Sequence, residues 1–367
     1  MTLYVQKKDM SENKIRVLKL VKKIKQYNVP VNNLLSEKYD YTVLFCQECE
    51  DDGRAEWKFK TIYEPLPPKG LKWLWFLWKV AKICRQYDVV IGLTDYYPIS
   101  YLPRKNKFIF WSIGVPASYT IHFGEGSDDD YRKRTKIEKH ADANIFYTEE
   151  AKKLRMEHGY DGPKIFVAHN TTKVLKRELS KEDKDSVLFI GSLHAAKGIQ
   201  VLLDAYKAAY NDNKDLVKLN IVGGGTPLPQ IRRWVTDNEL TDVINVLGPI
   251  YDEERKADLF MKSLACISPL QAGLSVLESM GYGVPFITDA NAITGGEAYN
   301  IKNGETGYRL KGLNVEKLKE TVLDITIDKD KYINMGKNAY DYYWSCCKPE
   351  DMVKGVIDAI EYVINKQ

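Results

Sequence analysis

Short apolar runs alternating with amphipathic stretches dominate the second half of the chain. Ser186-Val187-Leu188-Phe189-Ile190, Lys218-Leu219-Asn220-Ile221-Val222, Val243-Ile244-Asn245-Val246-Leu247, Ala265-Cys266-Ile267-Ser268 and Pro285-Phe286-Ile287-Thr288 read as strands. Between them, residues 199–211, 228–238, 252–263 and 273–283 carry apolar positions at helical spacing, with the lengths a βα repeat requires. The pattern predicts a Rossmann-like domain, a parallel sheet with helices on its faces. The first half holds a less regular set at Tyr41-Thr42-Val43-Leu44-Phe45, Val89-Val90-Ile91-Gly92-Leu93, Phe108-Ile109-Phe110-Trp111, Ala143-Asn144-Ile145-Phe146-Tyr147 and Ile165-Phe166-Val167-Ala168. A charged stretch over residues 176–185 separates the halves as an expected linker. The expected fold class is therefore α/β, with two Rossmann-like domains facing each other across a cleft. Their expected bounds are 1–180 and 181–345, with 346–367 a C-terminal helix packing back on the first domain.

The length of 367 residues suits two domains that each bury a core. No apolar run approaches the roughly 20 residues that span a bilayer, and Met1-Thr2-Leu3-Tyr4-Val5-Gln6-Lys7-Lys8 lacks the apolar centre of a secretion signal. A soluble, cytoplasmic chain is expected. The six cysteines form no disulfide framework, and Cys46-Gln47-Glu48-Cys49 lacks the second pair of a zinc site, so they read as reduced thiols. Net charge is only +4, but residues 1–40 hold nine Lys or Arg against four Asp or Glu. Charge is placed locally, and no nucleic-acid partner is expected.

Chemistry concentrates in the run from Pro269 to Pro285. Gln271-Ala272-Gly273 follows an apolar strand and opens a helix, with Gly273 allowing close backbone approach to a ligand. Amides at Ala272, Gly273, Leu274 and Ser275 are expected to be free to meet an anion at the positive helix end. Glu278, four residues beyond Leu274, projects from the same face about 5.4 Å further along. A diphosphate at the helix tip would leave a ribose diol near that carboxylate, whereas a buried strand-loop-helix unit would leave Glu278 merely solvated. Gly223-Gly224-Gly225 stands between a strand and a helix, as a phosphate cradle or a tight turn. Asp128-Asp129-Asp130 reads better as a solvated acidic loop than as a metal cluster.

The segment Leu71 to Lys82 gives two faces at helical spacing: Leu74, Leu77, Trp78 and Ala81 toward the core, and Lys72, Trp75, Lys79 and Lys82 outward. Tryptophan among lysines suits a membrane interface, to which the basic residues from Lys14 to Lys25 would add attraction for anionic lipid. A helix buried on most sides is the competing expectation.

Several segments now stand in order: Phe189-Ile190-Gly191-Ser192-Leu193-His194-Ala195-Ala196-Lys197-Gly198, Ile221-Val222-Gly223-Gly224-Gly225, the run around Glu278, Gly295-Gly296-Glu297 and Asn303-Gly304-Glu305-Thr306-Gly307-Tyr308. Over residues 140–310, which also include Ala141 to Thr148 and His169-Asn170-Thr171-Thr172, the chain resembles glycosyltransferase family 4, retaining enzymes of the GT-B fold. The resemblance implies that Lys197 meets a donor diphosphate, that Gly273, Leu274 and Ser275 hold phosphate or sugar, and that Glu278 binds ribose. Gly191, Ser192, His194, Gly223, Gly224, Ala272 and Glu297 complete the expected nucleotide site. His122 is the expected first-domain residue near the donor sugar, and Lys197, Glu278 and His122 are the residues assigned to the reaction. Two departures stand out. The family usually has Arg at the position of Ser192, and an acid at that of Leu270, where it commonly meets the donor sugar.

The implied activity is retaining transfer from a UDP- or GDP-linked sugar to a hydroxyl of a growing, lipid-linked surface glycan. The nucleotide sugar is a substrate, and neither cofactor nor metal is implied. The expected partners are the donor, a glycan or lipid-linked oligosaccharide acceptor and an anionic membrane surface at the inner face. A nucleotide-sugar epimerase and a non-catalytic GT-B partner protein are the alternatives.

Overall fold

The computed structural model describes residues 14–49, 56–68, 70–92, 97–101, 104–179 and 184–366. Met1 to Lys8, Leu93 and the linker residues from Ser180 to Asp183 lie outside them. Among the described residues the chain forms two wholly parallel sheets. The first contains β1 (Arg16–Val21), β2 (Asp40–Phe45), β3 (Lys60–Tyr63), β4 (Val89–Gly92), β5 (Lys107–Ser112), β6 (Ala143–Phe146) and β7 (Ile165–Val167), in the order β3-β2-β1-β4-β5-β6-β7. The second contains β8 (Ser186–Ile190), β9 (Lys218–Val222), β10 (Ile244–Gly248), β11 (Ser263–Ile267), β12 (Phe286–Asp289) and β13 (Gly307–Leu310), in the order β10-β9-β8-β11-β12-β13. Apolar side chains from both sheet faces enter separate cores, which explains the near-continuous apolar strands of the sequence. The helix Pro349–Asn365 returns to the first sheet, packing on β5, β6, β7 and the helix Val29–Lys38.

Three strands escape the sequence pattern, and β1 is a central one. Its run Arg16-Val17-Leu18-Lys19-Leu20-Val21 lies within the lysine-rich segment expected to attract lipid. The structure withdraws Lys19 from that surface, while Lys14 and Arg16 remain exposed. Lys14 Nζ donates to the Glu37 carbonyl at 2.8 Å, Arg16 pairs with Asp88 at 2.8 Å, and Lys19 is buried.

Lys19 Nζ lies 3.2 Å from Asn32 Oδ1 and 4.1 Å from the Trp111 ring centroid. These contacts do not offset burial, which pushes its pKa down to about 7. Above the ordinary lysine pKa the group is neutral in both folded and unfolded chains. As pH falls, the unfolded chain binds the proton first, so stability declines until the folded group titrates near 7. Wild type should therefore gain about 2 kcal/mol relative to Lys19→Met between about pH 7 and pH 9. Urea titrations at the two pH values check this, and parallel pH profiles would contradict it.

The tryptophan helix spans Leu71–Cys84, but its phase differs from expectation. Phe76, Val80, Ala81 and Cys84 are buried, whereas Leu74 and Trp78, expected in the core, are each 58% exposed. With Leu71 and Trp75 they form an outward stripe at i, i+3, i+4 and i+7. Lys79 lies over Trp75 and Lys82 over Trp78, at 5.6 and 5.8 Å from the ring centroids. Asp128, Asp129 and Asp130 likewise form a helix start rather than a loop. Ser127 and Asp130 make a capping box at the first turn of the helix Asp128–Glu138, where acidic side chains oppose the helix dipole.

Candidate functional site

In the second sheet, β8 lies between β9 and β11, so the chain leaves these central strands in opposite directions. Loops beyond their C-terminal ends flank a crevice, where α/β folds bind ligands. Residues 191–198 follow β8 and residues 268–274 follow β11. The two segments touch, with the Leu270 amide donating to the Lys197 carbonyl at 3.3 Å. Gly198 makes that approach possible, because a Cβ there would lie 2.6 Å from Leu270 Cγ.

The glycine triplet braces this crevice. A Cβ on Gly223 would lie 1.9 Å from the Gly191 carbonyl oxygen, and one on Gly225 2.4 Å from that of Leu193. The Gly223 amide donates to the Gly248 carbonyl at 2.9 Å, and the Gly224 carbonyl accepts from the Leu193 amide at 2.8 Å. Gly223 therefore serves close loop packing, and its amide is already engaged rather than open to a phosphate.

Lys197 ends a short 3-10 turn, Ala195–Lys197, and is only 7% exposed. Its ammonium has no hydrogen-bond or ion-pair partner among the described residues. Burial pushes its pKa down, opposed by Cys266 and Glu297. An ammonium held in this way favours an arriving anion. His194 is shifted down by burial and by Lys197, while Ser192 is exposed at the position of the resemblance's missing arginine.

The helix Ser275–Gly281 is shorter than the sequence spacing predicts. The structure also corrects the expected set of free amides: Ala272 donates to the Ile293 carbonyl at 2.9 Å. Gly273 has open space where a Cβ would stand. Ser275 Oγ and Gln271 Oε1 are buried without partners among the described residues. Unsatisfied polar atoms here suit a polar ligand.

Glu278 is not an unengaged carboxylate. Lys256 Nζ donates to its Oε1 at 2.9 Å and also pairs with Glu253. Burial raises the Glu278 pKa against Lys256, whereas Lys256, also penalised by burial, is raised overall by Glu278 and Glu253. These shifts pull in opposite senses on the pair. The Lys256 ammonium at 2.9 Å favours the charged form of Glu278 against the larger effect of its burial. Nothing in the sequence marked Lys256, because its role depends on a contact between two helices.

Glu297 is buried where the two domains meet. Asn170 Nδ2 donates to its Oε1 at 2.7 Å, while the Gly295 amide and Thr294 Oγ1 donate to Oε2 at 2.9 and 3.2 Å. The loop after β5 reaches the second domain through Phe123 and Tyr299, with ring centroids 5.0 Å apart, and Tyr119 and His194, 6.1 Å apart. His122 is exposed on that loop beside Phe123. A cavity of about 430 Å³ lies between the domains, bounded by Tyr27, Trp111, Arg134, Tyr147, Asn170 and Glu297, among others. Among the described residues, no cluster of three or more His, Cys, Asp or Glu is suited to a metal.

Two parallel-sheet domains with the site between them form the architecture of GT-B glycosyltransferases. Residues 170–342 match the model of the family Glycosyl transferases group 1. The chain is 25% identical over 171 residues to a GDP-mannose-dependent alpha-(1-6)-phosphatidylinositol monomannoside mannosyltransferase of Mycobacterium tuberculosis, covering 44% of this chain and 43% of that protein. It is 22% identical over 251 residues to a poly(glycerol-phosphate) alpha-glucosyltransferase of Bacillus subtilis, covering 64% and 36% respectively. The chain thus spans about half or less of these curated relatives. A glycosyltransferase from Rickettsia africae superposes with a TM-score of 0.76 at 14% identity, covering 97% of this chain and all of that one. Anabaena HepE in complex with UDP and glucose gives 0.72 at 13% identity, covering 95% and 100%.

Proposed function

We propose that the protein transfers a glycosyl unit from a UDP- or GDP-linked sugar to an acceptor hydroxyl with retention of anomeric configuration. The observation carrying this reading is the buried Lys197 ammonium, without an anionic partner among the described residues, beside the open approach at Gly273. Lys197 meets the diphosphate with the amides of Gly273, Leu274 and Ser275, while the Lys256-braced Glu278 carboxylate takes the ribose hydroxyls. This positive charge stabilises the leaving group without a resident metal.

In a front-face displacement the acceptor oxygen bonds to the anomeric carbon as the bond to the diphosphate breaks. The bonding pair leaves on the phosphate oxygen, which takes the acceptor proton. Positioning and charge stabilisation lower the barrier, and no side-chain nucleophile is needed. Leu270 supplies no charge at the place where the resembling family commonly offers an acid to the sugar.

A panel of UDP- and GDP-sugars tests the reading. Slow release of one nucleoside diphosphate supports it, sugar isomerisation identifies an epimerase, and no nucleotide binding identifies a non-catalytic protein. Gly273→Ala gives a sharper check. Because a Cβ meets nothing within 4 Å in the ligand-free fold, the melting temperature should hold. Nucleotide affinity should fall about tenfold as the methyl blocks close backbone approach. Unchanged affinity by calorimetry would remove Gly273 from the site.

The acceptor in this reading is a growing glycan on a lipid carrier, met at an anionic inner membrane face. Support comes from the stripe of Leu71, Leu74, Trp75 and Trp78, flanked by lysines. Among the described residues no helix is long and apolar enough to cross a membrane. Flotation with phosphatidylglycerol vesicles should carry the wild type upward and leave a Trp75→Ser/Trp78→Ser variant at the bottom. Equal flotation of both would exclude this stripe as the contact.

A further inference from the structure

The cavity between the domains has chemistry beyond the donor site. Tyr27, Trp111 and Tyr147 give it aromatic walls, with Trp111 and Tyr147 centroids 6.2 Å apart at 50°. Such faces suit the apolar side of a sugar ring. Trp111 is buried, and its Nε1 has no acceptor among the described residues.

Arg134 lines the same cavity from the helix Asp128–Glu138. Its guanidinium makes no hydrogen bond among the described residues, and the Glu138 and Asp130 carboxylates act on its charge only from a distance. Glu138, one turn further along the helix, is engaged by Arg155, whose Nη2 lies 2.5 Å from Glu138 Oε2. Burial lowers the Arg134 pKa without removing its charge at neutral pH. On the other side, Asn170, Thr294 and Gly295 hold Glu297. The cavity therefore combines a guanidinium whose donors make no hydrogen bond among the described residues with a carboxylate already satisfied by local donors.

We infer that this cavity is the acceptor subsite and takes a sugar bearing a negative charge, a phosphate or a carboxylate, with Arg134 on the anion and the aromatic walls on the ring. The inference rests on the glycosyltransferase reading for its role but not for its recognition chemistry. Its volume of about 430 Å³ falls within the range of about 300–1,000 Å³ typical of small-molecule pockets. A planar guanidinium offers two parallel donors to either anion.

The test compares glucose, glucose 6-phosphate and glucuronate by ligand-observed NMR on the full chain, with UDP and GDP titrated separately by calorimetry. At least one charged sugar should bind about tenfold more tightly than glucose, and Arg134→Gln should erase the difference. Arg134→Lys should retain part of it, with nucleotide affinity unchanged in both variants. The two charged probes distinguish phosphate from carboxylate. Equal binding of all three sugars, or a preference that survives Arg134→Gln, would overturn the inference. So would an equal loss of nucleotide affinity, which would place Arg134 on the donor diphosphate. If neither nucleotide binds wild type, the glycosyltransferase reading fails while the sugar comparison still decides whether Arg134 selects an anion.

Discussion

Lys197→Met is expected to lower donor turnover by about 10²–10³-fold while raising the melting temperature of the ligand-free protein. The opposite signs follow from one arrangement. A buried ammonium without an anionic partner carries a desolvation cost, seen in its lowered pKa, and methionine fills similar space without that charge. The same substitution removes the cation assigned to the leaving diphosphate. A residue serving only the fold would lose stability with activity. Calorimetric melting and nucleotide-release assays on the same preparation separate these outcomes, and unchanged turnover would remove Lys197 from the mechanism.

Gly223→Ala should cost about 3 kcal/mol and depress turnover with it. Its Cβ would sit 1.9 Å from the Gly191 carbonyl oxygen, a backbone atom that moves only by shifting the loop toward Lys197. Bonds from Gly191 to Val222 and from Leu193 to Gly224 tie the two loops together. Relief at one loop therefore displaces the other. Gly224→Ala is the control, because its Cβ would meet Pro249 at an ordinary 3.5 Å. Urea denaturation should leave that variant near wild type, and equal stability of the two variants would contradict the packing account.

The strands β8 and β9 were legible to the residue because helices cover both sheet faces and demand uninterrupted apolar side chains. The same logic concealed β1, whose buried Lys19 breaks the apolar run. Gly307-Tyr308-Arg309-Leu310 hid β13 within a segment first noticed as a motif. On the tryptophan helix the period was readable but the phase was not. Large apolar residues at Leu74 and Trp78 suggested a core face, while Phe76, Val80 and Cys84 set the buried one.

The site divides similarly. Gly273 is legible from its place at the head of a helix, and Lys197 only through the ordered motifs of the resemblance. Lys256, Asn170 and Arg134 acquire meaning only through other elements: a helix carrying Glu278, a loop carrying Glu297 and a cavity between domains. Cys46-Gln47-Glu48-Cys49 shows the converse, a spacing suggestive of chemistry whose thiols serve local structure: Cys46 Sγ donates to the Lys22 carbonyl and Cys49 Sγ accepts from the Ile24 amide.

Titrating UDP and GDP into wild type and Lys197→Met by isothermal calorimetry tests the central claim most directly. One nucleotide should bind wild type at a single site, and the variant should bind it at least about tenfold more weakly despite its higher melting temperature. Failure of both nucleotides to bind wild type, or equal affinity in the folded variant, would contradict the assignment.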